Sequence, residues 1–416
     1  MMVSRRFWGM LGAVLIWLAA GAPVIAATAA TPAKAPQDLY LEAMRSIADG
    51  RQNDASDILS RMIELEPMHA GAWLDLAIIQ CELGHAREAE ALFAAIINRF
   101  APPPEIVEVI AANRARGCAL WRADSKWSLL IGRGYDSNVN QGSSTPSFTF
   151  GLGNDQVEAQ LLPDYLPRPD QFTILQGDYR RDLSPNGTVG TVQFQARTNH
   201  DISAFDTAAV VLGIEQPWRF RDWSVRGIGT LGLLTLNGRL YQGQASAQLR
   251  ITPWLPLPEN VQLTLMPGVA HVQYPTLGNY NSNTAELRSQ LTWRLPQTEF
   301  TASLGYAADF GSAARPGGDR KGWATGLRGN TRIAGDVFGE FGWTRQTWQS
   351  STAYSPGLIE SIRRQDTQVL RGALIFPVRP HQTVQLEVRN VRNKENISIF
   401  QYDSRQIQLS WQWQDF

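Results

Sequence analysis

From Lys126 to Phe416 apolar and polar residues alternate with a period of two, and this pattern limits the fold more than any other feature of the 416-residue chain. Val192, Phe194 and Ala196 alternate with Gln193, Gln195 and Arg197. Ala245, Ala247, Leu249 and Ile251 alternate with Gln244, Ser246, Gln248 and Arg250. Leu287, Leu291, Trp293 and Leu295 alternate with Arg288, Gln290, Thr292 and Arg294, and Val384, Leu386 and Val388 with Gln385, Glu387 and Arg389. Phe300, Ala302, Leu304 and Tyr306 share one face. Successive side chains of a strand point to opposite faces, so each segment reads as a strand with one apolar and one polar face. The segments end at Gly, Pro, Asn or Asp, which supply turns.

A soluble sandwich would also alternate, but three features favour a membrane barrel. Arg, Gln and Glu occupy the centres of the polar faces, with little sign of a second sheet to cover the apolar ones. Aromatics recur near strand ends, at Trp127, Trp218, Trp223, Trp254, Trp343, Trp348, Trp411 and Trp413, as an interfacial girdle requires. The last segment alternates Ile407, Leu409, Trp411 and Trp413 with Gln before the terminal Phe416, which makes Trp411, Trp413 and Phe416 a candidate signal for barrel insertion. The expected domain is an antiparallel transmembrane β-barrel over 126–416, of about 14 strands. The expected spans are 126–139, 170–183, 188–200, 204–219, 223–237, 240–254, 260–274, 283–296, 298–310, 321–334, 336–349, 364–378, 381–392 and 402–416. Tight turns at Pro185-Asn186-Gly187, Arg221-Asp222, Pro296-Gln297, Gly335-Asp336 and Arg379-Pro380 are expected on the periplasmic side. The longer connections 140–169, 275–282, 311–320, 350–363 and 393–401 are expected outside.

Composition agrees once that geometry is considered. Mean hydropathy is −0.22, a soluble-looking value. In a barrel only every second residue faces lipid, so the average excludes a helical membrane protein and not a membrane protein. Lys plus Arg and Asp plus Glu are 38 each, a neutral balance that argues against a nucleic-acid partner.

The N-terminal third differs. Arg5 and Arg6, the uncharged apolar stretch Phe7 to Ala20, and Val24-Ile25-Ala26 read by pattern as a secretory signal peptide expected over 1–26, followed by a linker at 27–36. Residues 37–120 read as a helical domain. Two segments superpose at a 34-residue offset, matching Leu39 with Trp73, Ala43 with Ala77, Ala55 with Ala89, Leu59 with Phe93 and Met62 with Ile96. That is the tetratricopeptide spacing. Ala77 and Ala89 would let paired helices approach, and Trp73 and Phe93 would fill the space between units. Glu105 to Arg116 adds a further helix. Two units are fewer than the three usually needed for independent stability, so the array should lean on the following domain. Arg45, Gln80 and Arg87 are candidate contacts for an extended partner on these repeats. Cys81 and Cys118 could pair in an oxidising periplasm or remain two free thiols. The fold class is thus α+β multidomain, a short helical tetratricopeptide array followed by a barrel.

No nucleophile, base and orienter stand together near His69, His85, His200, His271 or His381, so no enzyme activity, catalytic residue or cofactor is expected. No Cys/His cluster has zinc spacing and no metal site is expected. Asp136-Ser137-Asn138 reads as a polar strand exit in preference to a calcium site. The informative surface is the polar inner face, with Arg197, Arg250, Arg288, Arg294, Glu340, Arg371, Glu387 and Arg389 as candidate lumen-lining residues. They either stiffen the wall by pairing or select what passes.

The stretch Gly134-Tyr135-Asp136-Ser137-Asn138-Val139-Asn140, closing the first strand, and the end of the chain from Asn396-Ile397-Ser398 through Tyr402, Arg405 and Phe416 resemble the surface lipoprotein assembly modulators, the Slam family. Signal peptide, short repeat array and 14-strand barrel follow in the same order. The resemblance spans about residues 37–416 and implies an outer-membrane translocator that assists surface display of lipoproteins or related secreted proteins. Its partners would be outer-membrane lipid, the exported protein, a periplasmic chaperone and the barrel assembly machinery. Polysaccharide export and a small-solute porin with scaffold repeats are the alternatives.

Overall fold

The computed structural model describes residues 36–118, 123–151, 156–220, 223–258 and 260–415. The expected signal peptide, the Arg221-Asp222 turn and Phe416 lie outside them.

Small residues at the repeat positions allow five helices to pack as antiparallel neighbours: α1 (Pro36–Ala48), α2 (Gln52–Leu65), α3 (Ala70–Glu82), α4 (Ala86–Phe100) and α5 (Pro104–Arg116). Ala43, Ala55, Leu59, Met62 and Ala72 are buried in one cluster, and Ala77, Ala89, Phe93, Ile96 and Ile110 in the next. Trp73 is half-buried against the second cluster and donates its indole N–H to the Pro67 carbonyl at 3.2 Å. The Tyr40 hydroxyl donates to Asp75 at 2.7 Å, tying α1 to α3. Gln80, expected to meet a partner, is instead used internally. Its amide donates to Ser56 Oγ at 2.9 Å and its oxygen lies 2.6 Å from His85 Nδ1. Arg45 and Arg87 are exposed.

Cys81 and Cys118 form a disulfide across 37 residues, with Cα atoms 4.4 Å apart. It fastens the segment after α5 to α3, where the sequence left both states open.

Apart from the first and the last, which meet each other, the C-terminal strands of the barrel pair antiparallel with their neighbours in sequence. Among the described residues, 14 strands form a closed antiparallel barrel that begins with β1 (Ser125–Asp136), and β2 (Ser147–Phe150) and β3 (Val157–Gln160) pair separately from it. The ranges are β4 (Asp170–Asp182), β5 (Val189–Asn199), β6 (Thr207–Phe220), β7 (Trp223–Leu236), β8 (Arg239–Thr252), β9 (Val261–Gln273), β10 (Ser282–Leu295), β11 (Thr298–Gly311), β12 (Arg320–Ala334), β13 (Val337–Ser355), β14 (Ile359–Arg379), β15 (Gln382–Glu395) and β16 (Tyr402–Asp415). β1 closes the cylinder against β16 from Trp127↔Asp415 to Asp136↔Gln406. The outward rows are apolar: Leu129, Trp413 and Val384, Leu386, Leu409 lie on one face, as do Val210, Leu212, Leu231 and Leu233. The β8–β9 ladder lapses between Gln248↔Gly268 and Ile251↔Leu265, beside Pro267, which has no N–H to donate.

Two connections depart from the reading of the sequence. Residues 350–363 are not a loop, because β13 and β14 run on as a long hairpin to Ser355 and Ile359. Residues 140–169 carry a small hairpin of their own, β2 (Ser147–Phe150) with β3 (Val157–Gln160). Trp348 is also reassigned. It sits across from Gln365 on the inner face, under the Arg320 guanidinium at 4.6 Å, and does not belong to the outer girdle. Trp323 and Trp293 take outward positions instead.

The helical array meets the barrel at the β4–β5 turn. Gln52 N–H donates to the Pro185 carbonyl at 3.2 Å, and Arg51 bridges to Asn186. Gly187 has φ +77°, and a Cβ there would stand 3.0 Å from Pro217 Cγ and 3.1 Å from the Asp49 carbonyl, so both the turn and the approach require glycine. Arg51 is buried at the joint and binds Asp54 at 2.7 Å and Asp49 at 3.3 Å.

Replacing Cys81 and Cys118 together by Ser is expected to destabilise the helical array by about 3–4 kcal/mol through loss of the cross-link. Urea titration followed by helical circular dichroism, with barrel signal as the internal reference, measures it.

Candidate functional site: the polar interior of the barrel

The pleat sends every second residue of each strand inward, so the interior is built by the same alternation that builds the outer face. At the β1–β16 seam, Asp136 is almost fully buried. Its carboxylate accepts from Ser404 Oγ at 2.7 Å, Gln406 Nε2 at 2.9 Å, the Asn138 N–H at 2.9 Å and Arg197 Nη2 at 2.8 Å. Arg197 also lies over the Phe172 ring at 3.9 Å. Gly134 has no side chain because a Cβ there would come 2.5 Å from both the Ile407 carbonyl and Phe172 Cζ.

The rest of the 134–140 stretch extends this clamp. Tyr135 faces outward. Ser137 Oγ accepts from the Arg405 N–H at 2.9 Å. The Asn138 amide donates to the Gly142 and Asp403 carbonyls at 2.9 and 3.0 Å. The Val139 N–H donates to the Arg168 carbonyl at 2.9 Å, and the Asn140 amide donates to the Leu166 carbonyl at 2.8 Å. The stretch therefore pins both the closing strand pair and the start and end of the 140–169 connection. With Asp136 already holding four donors, its carboxylate is committed to the wall.

Halfway along the barrel Arg371 lies between two carboxylates, 2.8 Å from Glu340 and 2.8 Å from Glu387. Arg328 approaches Glu340 at 3.5 Å. Arg288 pairs with Glu286 at 2.6 Å, and Arg294 with Glu299 at 3.2 Å. Arg389 stands opposite Arg371 and Gln406, and Arg250 opposite Arg226, which is itself bound to Glu215 at 2.6 Å. All eight expected lumen residues take inward positions on this register, but they do not form one cluster.

Toward the end with the longer loops is a group that the sequence reading missed. Asp309 is buried and accepts from Arg320 Nε at 2.6 Å and Arg315 Nη2 at 3.0 Å. Glu395 receives a two-pronged bond from Arg363 at 2.7 and 2.8 Å, and Arg363 lies over the Phe400 ring at 4.2 Å. Arg315, Arg320, Arg363, Tyr274, Tyr280 and Trp348 line a hollow of about 210 Å³. Continuing the odd-numbered parity of Glu387 and Arg389 into 393–395 would have found Glu395. Arg315 lies between strands, where no period marks it.

Of the remaining expected residues, Ala77, Ala89 and Phe93 are buried in the repeats with Trp73 beside them. Trp411 and Trp413 stack at 5.8 Å on the last strand.

The tetratricopeptide repeat model matches residues 46–112. No curated protein matches the chain significantly. Among solved structures, the outer membrane protein OmpT of Vibrio cholerae, in a form lacking loop L8, is 6% identical and covers 71% of this chain and 99% of its own, with a TM-score of 0.39. The outer membrane protein opdK of Pseudomonas aeruginosa is 10% identical over 70% of this chain and 98% of its own, with a TM-score of 0.31. OccAB3 of Acinetobacter baumannii is 10% identical over 70% and 99%, with a TM-score of 0.36. Similarity at this level is too low to carry an argument about function.

Asp136→Ala leaves the Arg197 guanidinium without its carboxylate and is expected to cost about 3–5 kcal/mol. The temperature at which the folded barrel loses its compact gel mobility in detergent should fall. Adding Arg197→Met should restore part of the loss, because the orphaned charge is then gone.

Proposed function

We propose that this chain is an outer-membrane barrel of a Gram-negative bacterium whose helical repeats, on the periplasmic side, engage an exported protein and assist its display at the cell surface. The observation that carries the reading is the joint at Gln52, Arg51, Pro185 and Gly187. It fixes a repeat array, a structure whose surface suits extended peptides, at the barrel end where β1 begins and β16 finishes.

The interior charges favour this over an anion-selective porin. Most inner Arg side chains are matched by a carboxylate, as Arg371 is by Glu340 and Glu387 and Arg363 is by Glu395. Such pairs stiffen a wall and leave little free positive charge to attract small anions. The resemblance of residues 134–140 to the surface lipoprotein assembly modulators points to lipoproteins or related secreted proteins as the client. A periplasmic chaperone and the barrel assembly machinery are the further partners of this reading.

Deleting the gene and treating intact cells with protease should reveal at least one surface lipoprotein or secreted protein whose exposure is lost while its total amount is unchanged. Complementation with the full chain should restore it, and complementation with a chain lacking residues 36–118 should not. Unchanged display of every candidate contradicts the proposal. A steady open conductance in planar bilayers would favour the porin, and loss of exopolysaccharide would favour polysaccharide export.

A further inference from the structure

Arg315, Arg320 and Arg363 line the hollow of about 210 Å³ inside the barrel near the longer loops, and among the described residues no carboxylate lines it. The two carboxylates that hold these side chains lie behind them. The side chains of Asp309 and Glu395 are 1% and 0% exposed, whereas those of Arg320 and Arg363 are 34% and 27% exposed. Arg320 reaches Asp309 through Nε, which leaves both terminal nitrogens outside that bond. Arg363 reaches Glu395 through Nε and Nη2, which leaves Nη1 outside it. Arg371, by contrast, shares the lumen surface with Glu340 and Glu387, which are both partly exposed. Asp319 is exposed and accepts from the Gly311 N–H at 2.9 Å, away from the lining. With donors in front and acceptors buried behind, the hollow presents positive charge to whatever enters it.

The fold holds these groups in place before any ligand arrives. Arg320 lies across from Asp309 on β11 and from Ser350 on β13, and Trp348 lies across from Gln365 on β14, all in rows that the pleat sends inward. The Arg320 guanidinium lies over the Trp348 ring at 4.6 Å and Arg363 over the Phe400 ring at 4.2 Å. Gly322 makes room for the indole, since a Cβ there would strike the Thr347 carbonyl and come 3.0 Å from Trp348 Cδ2. Tyr274 is braced by Tyr241, with ring centroids 5.4 Å apart. Tyr274, Tyr280 and Trp348 give the hollow aromatic walls, and the Gln242 amide and Ser350 hydroxyl belong to the same lining.

We infer that this hollow binds a carboxylated sugar ring, its carboxylate on Arg320 and Arg363 and its ring against Tyr274, Tyr280 and Trp348. Guanidinium forks suit a carboxylate. The C–H face of a sugar packs on aromatic rings, and its hydroxyls both donate and accept, as amide and hydroxyl side chains do. An inorganic anion would use the guanidiniums and leave the aromatic walls wet. An apolar acid would meet the Gln242 amide and the Ser350 hydroxyl with nothing to bond. The hollow is smaller than the roughly 300–1,000 Å³ of a drug-sized pocket, so it admits a single ring and no stretch of folded peptide. The inference goes beyond the surface-display reading and does not rest on what crosses the barrel.

The test is equilibrium dialysis of radiolabelled D-glucuronate against the full chain purified in mild detergent. Saturable binding at a single site per chain is expected. Glucose, which lacks the charge, and acetate, which lacks the ring, should compete at least about tenfold more weakly, a difference equal to about 1.4 kcal/mol each. Two variants probe the two halves of the site. Arg363→Met/Glu395→Met removes a buried pair together, so no charge is orphaned, and should weaken glucuronate at least about tenfold. Tyr274→Ala lies between strands, touches no ion pair, and should weaken glucuronate by a similar factor while leaving acetate unchanged. Compact gel mobility establishes that each variant is folded. A glucuronate oligomer competing as well as the monosaccharide supports the site with a glycan end as its source, and competition by the monosaccharide alone supports it with a free acid as its source. The inference is overturned by the absence of saturable binding, by glucose or acetate competing as well as glucuronate, by inorganic phosphate competing better, or by native affinity in both folded variants.

Discussion

The pairing of β1 with β16 is the contact on which the barrel depends. A sheet with period-two apolar faces can sit in hydrocarbon only if no strand leaves its N–H and C=O groups unpaired, since each exposed group costs several kcal/mol there. Closure removes both edges at once. The seam joins segments more than 260 residues apart, as Asp136 with Ser404 and Gln406 shows. The loop entropy of such a contact is offset by a concentrated set of bonds. Asp136, Ser137 and Asn138 from one side and Ser404, Arg405 and Gln406 from the other supply it, with Arg197 of β5 adding charge.

The helical array solves a different difficulty. Two repeats bury two small clusters, too little for a long-lived independent domain. The Cys81–Cys118 cross-link restrains one end and the Gly187 turn supports the other. At the joint backbone groups bond directly and the buried Arg51 is held by Asp49 and Asp54.

Most of the architecture could be read from residue order. Alternation is a local property, so strands such as Val384 to Arg389 and their inward and outward faces were legible, and so were the repeat positions Ala77 and Phe93. What escaped was set by contacts distant in sequence. The extension of β13 and β14 past Gln349 depends on the two strands supporting each other through Ala353↔Ile362, and neither carries a clean apolar alternation there. Trp348 looked like a girdle residue because aromatic identity says nothing about parity, and only its place opposite Gln365 turns it inward. Gln80 looked available because helix faces do not reveal a bond to Ser56 on the preceding helix. The Asp309–Arg315–Arg320 group required loops and strands to converge.

The central claim is that one face of every strand meets lipid while the other meets a polar interior. Single cysteines placed from Val384→Cys through Arg389→Cys on β15, spin-labelled in the barrel reconstituted in vesicles, report it most directly through their relaxation by oxygen and by a water-soluble nickel chelate. Oxygen access should peak at 384, 386 and 388, with the opposite preference at 385, 387 and 389. A uniform profile across the six positions, or nickel access at 384, 386 and 388, would contradict the account.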